Sequence, residues 1–135
     1  MKKLLLLSLT MLTLSGCSDK NNYEAAILVD LKREATKDPK DYKVDPEKMA
    51  ACIVKISSEN MRGLFEFDPE RLTAYRNYAK MLSVPQATDP KKTMEELRND
   101  FGSVQELSAA RSNYIESQME CLATFVASSD EKIDK

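Results

Sequence analysis

The nucleophiles of this chain of 135 residues are hydroxyls and three cysteines, and there is no histidine to activate them. Ser–His and Cys–His systems, and hydrolases whose metal rests on histidine, are therefore excluded. Cys52 and Cys121 form no C-x-x-C motif, and two thiols without histidine make no recognisable zinc site. No metal and no cofactor is expected. Beyond Gly16 the only glycines are Gly63 and Gly102, too few and too far apart for a P-loop or a dinucleotide fingerprint. Ser129 to Lys132 spell S-x-x-K, but in a polar tail without the companion motifs that give that tetrad its chemistry. Glu66, Asp68, Glu70, Glu95 and Glu96 could supply an acid and a base. Helix capping or a solvated helix face accounts for each of them. The composition points away from an enzyme.

Cys17 is different, because it closes an apolar run. Met1-Lys2-Lys3 is followed by leucine-rich sequence from Leu4 to Leu14 and then by the small residues Ser15 and Gly16. At helical rise that run covers roughly 16 Å, about half of a bilayer core of ~30 Å, so it does not span. Basic start, short apolar stretch and small residues are the three parts of a secretory signal peptide. A buried cysteine ending a core helix is the alternative, and Lys-Lys before a leucine run is rarely how a globular fold begins. Leu14-Ser15-Gly16-Cys17 resembles the lipobox of bacterial lipoproteins. The resemblance implies cleavage before Cys17, acylation of Cys17 and a membrane as partner, at about 0.8 kcal/mol for each buried methylene. In that class an aspartate directly after the cysteine retains the product at the inner membrane. Ser18 stands there, which implies the periplasmic face of the outer membrane.

Residues 1–16 are thus expected as signal peptide and 17–44 as lipidated cysteine and tether, with a short helix possible over Tyr23 to Ala35. Loss of Lys2 and Lys3 from a chain of net charge −2 leaves −4, with charges of both signs interspersed. That gives no basic stripe for nucleic acid. The remaining pair, Cys52 and Cys121, is expected as a disulfide in an oxidising periplasm.

The punctuation of the mature chain is a recurring Asp-Pro, at Asp38, Asp45, Asp68 and Asp89. Aspartate at an N-cap accepts from an orphan backbone N–H, and proline at the first helical position needs no donor, so three of these are expected to open helices. The intervening residues do not align as repeats. Apolar stripes follow: Met49, Cys52, Ile53 and Ile56 towards Gly63; Leu72, Tyr75, Ala79 and Leu82, stopped by Pro85; and Met94, Leu97 and Phe101, capped by Gly102. Ser103 and Glu106 read as a capping box opening a last helix to about Ser128. Lys37 to Val44 reads as a charged linker, and no stretch alternates like a strand. The expectation is an all-α fold, a small antiparallel bundle of about four helices over 45–129, disulfide-linked, with 130–135 as a polar tail.

Projected at 100° per residue, the last helix places Val104, Leu107, Tyr114, Ile115, Cys121, Leu122, Phe125 and Val126 on one half, and Glu106, Asn113, Glu116 and Glu120 on the other. Arg111 and Gln118 fall inside the apolar half. A charge there needs an ion-pair partner on a neighbouring helix, a stem that packs while the head reaches water, or a ligand. Arg111, Tyr114 and Gln118 are the candidate partner-binding residues. The plan of acylated cysteine, helical domain and cystine is similar to that of pilotins, which escort secretion-channel subunits. It implies a non-catalytic docking module for an envelope protein. A structural or exclusion-type envelope lipoprotein is the other reading.

Overall fold

The structure, a computed structural model, describes residues 14–37 and 44–130; most of the expected signal peptide, Asp38-Pro39, the middle of the charged linker and the tail beyond 130 lie outside the described residues. All the long elements among them are α-helices: α1 Leu14–Lys37, α2 Pro46–Glu59, α3 Pro69–Ser83, α4 Pro90–Phe101 and α5 Val104–Asp130, with a 3₁₀ turn Val84–Gln86 after α3. The all-α expectation holds, with five helices in place of about four.

The extra helix is the segment expected mainly as tether. α1 has 24 residues, and Tyr23, Ile27 and Asp30 on it are buried in the same core as Ile53, Leu97 and Cys121. Glu24 does not break this face, because the buried edge passes beside it at spacings of four and three. Asp30 can be buried because Arg33 pairs with it and the Tyr114 hydroxyl donates to it at 2.8 Å. The bundle therefore begins well before Asp45.

α1 and α2 run antiparallel, with the Tyr23 hydroxyl 3.0 Å from that of Ser57. α1 and α3 run parallel: Asp19 pairs with Arg76 at 2.6 Å near one end, while Asp30 and Leu82 line one cavity near the other. α5 returns antiparallel to α2, and Cys52 and Cys121 join them with an S–S distance of 2.10 Å and a Cα–Cα distance of 6.0 Å. Rings of Tyr23, Tyr75 and Tyr78 form the aromatic centre, with Tyr23 and Tyr78 edge to face at 5.5 Å.

Helix boundaries follow the capping residues. Asp45 and Asp68 each accept from the backbone two positions on at 2.9 Å, and Asp89 accepts from Lys92 at 3.0 Å. Proline at the first position follows each, and Gly102 ends α4 at φ 92°. Half of the capping box is present: Ser103 accepts from the Glu106 backbone at 3.1 Å, while the Glu106 carboxylate pairs with Arg62 at 3.4 Å. α2 stops at Glu59, short of Gly63, and the turn to α3 is held from the far side by Arg71. Its guanidinium donates to the carbonyls of Ser58, Met61 and Gly63, and its Nε to that of Arg62. Gly63 has φ 93°, and a Cβ there would lie 2.7 Å from Arg71, so both the angle and the space require glycine.

Asp68 also closes this turn, because its second carboxylate oxygen accepts from Leu64 at 3.0 Å. The Leu64 and Glu70 backbone bonds hold its carboxyl below the usual aspartate range. A carboxyl depressed in the folded state stabilises above its unfolded pKa of about 3.9, and that contribution is lost as pH falls through the lower folded value. The melting temperature should fall with acidification through this window, and Asp68→Asn should make the acid limb shallower. An acid limb unchanged by the substitution would remove Asp68 from the effect.

Candidate functional site

α5 buries a narrower edge than its composition suggests. Leu107, Ala110, Tyr114, Ser117 and Cys121, spaced three and four apart, form the seam. Val104, Ile115 and Leu122, expected inside, are 57, 44 and 37% exposed. A single helix covers only part of a half-cylinder, and the small residues Ala110 and Ser117 let neighbouring helices approach. Ser117 donates to the Asn113 carbonyl at 2.7 Å, which satisfies its buried hydroxyl.

The three predicted partner-binding residues come together on one side of that seam. Arg111, Tyr114 and Gln118 line a cavity of about 170 Å³ between the C-terminal part of α1 and the end of α3. Two of them are already engaged with α1. Tyr114 donates to Asp30, and Gln118 donates to Glu34 at 2.8 Å. Burial, then the nearby Asp30 charge, pushes the Tyr114 phenol up, so it stays a donor. Arg111 is exposed and has no ion-pair partner among the described residues, so of the readings open for it the salt bridge to a neighbouring helix is not formed there. Arg111→Ala should shift unfolding by no more than about 0.5 kcal/mol, as for a surface change. Tyr114→Phe, which strips a donor from a buried carboxylate, should cost about 2 kcal/mol. Chemical denaturation of both variants checks the contrast, and a large loss in Arg111→Ala would reveal a structural role.

The larger cavity was not foreseen. α3 packs chiefly on α1 and α4, and α5 on α2 and α4, so α3 and α5 leave between them a groove of about 470 Å³. Met61, Ala74, Tyr78, Phe101 and Ala110 contribute its apolar surface, and Asn60, Asn77 and Asn113 its amides. Asn113, expected on the polar side of α5, is half-buried at the groove. Its amide donates to the Ser57 carbonyl and to the Tyr78 hydroxyl, both at 2.9 Å, and its oxygen accepts from Asn60 at 3.2 Å. Through Ser57 this chain of bonds reaches Tyr23. Spacing alone did not distinguish Asn113 from a solvated residue; the signal available was an amide at the border of an apolar face, able to donate and accept at once.

Burial pushes the Tyr23 and Tyr78 phenols up, so both remain hydrogen-bonding groups and neither acts as a base. The carboxylates considered for acid–base work are dispersed: Glu66 pairs with Lys20, Asp68 caps α3, and Glu96 pairs with Lys80. Among the described residues no three of His, Cys, Asp or Glu are placed to hold a metal ion. The S-x-x-K tetrad falls at the edge of the described residues and partly outside them. The groove thus offers apolar surface with amide and hydroxyl partners and a rim charged by Arg62, Glu70, Asp100 and Glu106, a surface suited to a peptide segment. No family model matches the chain, and no curated protein or solved structure does.

Proposed function

We propose that this is an envelope lipoprotein, held through acylated Cys17 at the periplasmic face of the outer membrane, that binds a segment of another envelope protein without catalysis. The open groove between α3 and α5 is the observation that carries the docking role, because its buried apolar residues and its more exposed polar and charged rim match what an amphipathic helix or extended segment presents. The leucine run ending at Cys17 carries the anchor. A disulfide suits the oxidising compartment on which both depend.

A photo-reactive residue at Ala109, exposed on the α5 wall, should capture one discrete envelope protein in living cells. The same probe at exposed Ala25 on α1 should not. Thr73→Trp on the opposite wall should fill the groove and abolish the Ala109 adduct. Equal capture from both positions, or an Ala109 adduct indifferent to Thr73→Trp, would remove the groove from the function. Mass spectrometry of the membrane form tests the anchor separately: an intact Met1 or a free Cys17 thiol would overturn it.

A further inference from the structure

The α2–α3 turn groups three exposed apolar side chains within four residues, among them Leu64, the most exposed large apolar side chain of the described residues. Leu64 is 93%, Phe65 61% and Phe67 57% exposed, with Glu66 among them. Such a cluster on a slack loop would say little. This turn is not slack: Arg71 binds three of its carbonyls and that of Ser58 at the end of α2, Asp68 binds the Leu64 N–H, and buried Met61 plugs its base. The side chains are displayed by a backbone fixed from behind.

Where they are displayed decides what they meet. Glu66 is ion-paired to Lys20 at 2.5 Å, and Lys20 lies one helical turn from Cys17 on α1. α1 continues without a break from Cys17 into the core, whose first residue on it is Tyr23, about 9 Å further along the axis. The charged linker over Lys37 to Val44 lies between α1 and α2, not between Cys17 and the bundle. Nothing on the Cys17 side of Tyr23 has the length of a tether that would let the domain stand off. The end bearing Cys17 and the end bearing the turn are the same end of the bundle.

We infer that Leu64, Phe65 and Phe67 form a membrane-contacting surface that inserts into the acyl–headgroup boundary of the bilayer holding the Cys17 lipid. The inference rests on the lipoprotein reading above. Aromatic and leucine side chains partition to that depth, and an acyl anchor gains a second, protein-borne attachment there. Lys20 neutralises Glu66, the carboxylate that would otherwise resist approach to the membrane. The bundle is then fixed in one orientation.

The chain has no tryptophan, so single substitutions report their own surroundings. Phe65→Trp and Phe67→Trp, each in the full acylated protein recovered from membranes, are reconstituted in vesicles of phosphatidylethanolamine and phosphatidylglycerol with brominated acyl chains. Met119→Trp is the reference: Met119 is 66% exposed and adjoins Gln118, which bonds Glu34 at the far end of α1, about 25 Å from Cys17 along the axis. Both turn probes should shift to the blue and lose most of their emission to the bromolipids, while the reference stays red and bright. Acylated protein whose turn probes are quenched no more than Met119→Trp overturns the inference and leaves the lipoprotein reading intact. A blue shift that needs high protein concentration and no vesicles assigns the turn to a second copy of the chain and also overturns it. Absence of acyl chains on Cys17, read by mass on the same sample, overturns both.

Discussion

Tyr23→Ala should lower the unfolding free energy by about 4 kcal/mol, the range for emptying a large aromatic site. Tyr23 is fully buried, its ring meets Tyr75 and Tyr78, and its hydroxyl reaches Ser57. The loss combines apolar transfer, an unfilled cavity and a broken polar chain from α1 to Asn113. Urea denaturation followed by circular dichroism measures it. A loss below about 1 kcal/mol would mean that α1 is a tether after all, since surface positions cost no more than this. Tyr23→Phe divides the effect: it keeps the ring and should cost only the hydroxyl's share, about 1 kcal/mol.

Removal of the cystine should cost about as much. Cys52 and Cys121 are 69 positions apart, and closing that loop restricts the unfolded chain by about 4 kcal/mol in the entropy model, an upper figure because residual structure in the unfolded chain reduces it. Cys121 is fully buried and Cys52 partly, so the double variant Cys52→Ser, Cys121→Ser would add buried hydroxyls to the account. Reduction of the unmodified protein is the cleaner comparison. Urea midpoints with and without reductant should differ by several kcal/mol once multiplied by the slope. Coincident curves, or quantitative labelling of both thiols in the unfolded, unreduced protein, would exclude the bond.

The features legible in the sequence were those decided within a few residues. Asp45, Asp68 and Asp89 cap helices because the aspartate and the proline after it act on the first turn alone, and Gly102 and Pro85 end helices for equally local reasons. Cys52 and Cys121 could be paired because each lay on an apolar side and the one other thiol, Cys17, was expected to carry a lipid. What was not legible depends on distant partners. Asp30 looks like a solvent residue until Tyr114, 84 positions away, donates to it, and without that contact α1 lacks a continuous face. On α5, a wide apolar half concealed a narrow seam, because which of Leu107, Ile115 and Leu122 is covered depends on where α2 and α4 lie. The groove is a property of the gap between α3 and α5, so neither helix encodes it alone. Leu64, Phe65 and Phe67 are visibly apolar, but their exposure depends on a turn held by Arg71 and Asp68, which spacing does not show.

The cystine has a mechanical consequence. With the chain between them, Cys52 and Cys121 form a closed covalent ring containing all of α3 and α4 and the facing parts of α2 and α5. α1 lies outside the ring. A load applied between the Cys17 end and anything gripped in the groove cannot extend the ring end to end. It falls first on the contacts of α1 with the rest of the bundle: the packing of Tyr23 and Ile27, the ion pairs Asp19–Arg76 and Lys20–Glu66, and the hydrogen bonds of Asp30 with Tyr114 and Glu34 with Gln118. The weakest link under tension is therefore noncovalent and reversible. When it yields, the ring that holds the groove stays closed, and α1 can pack back when the load is released.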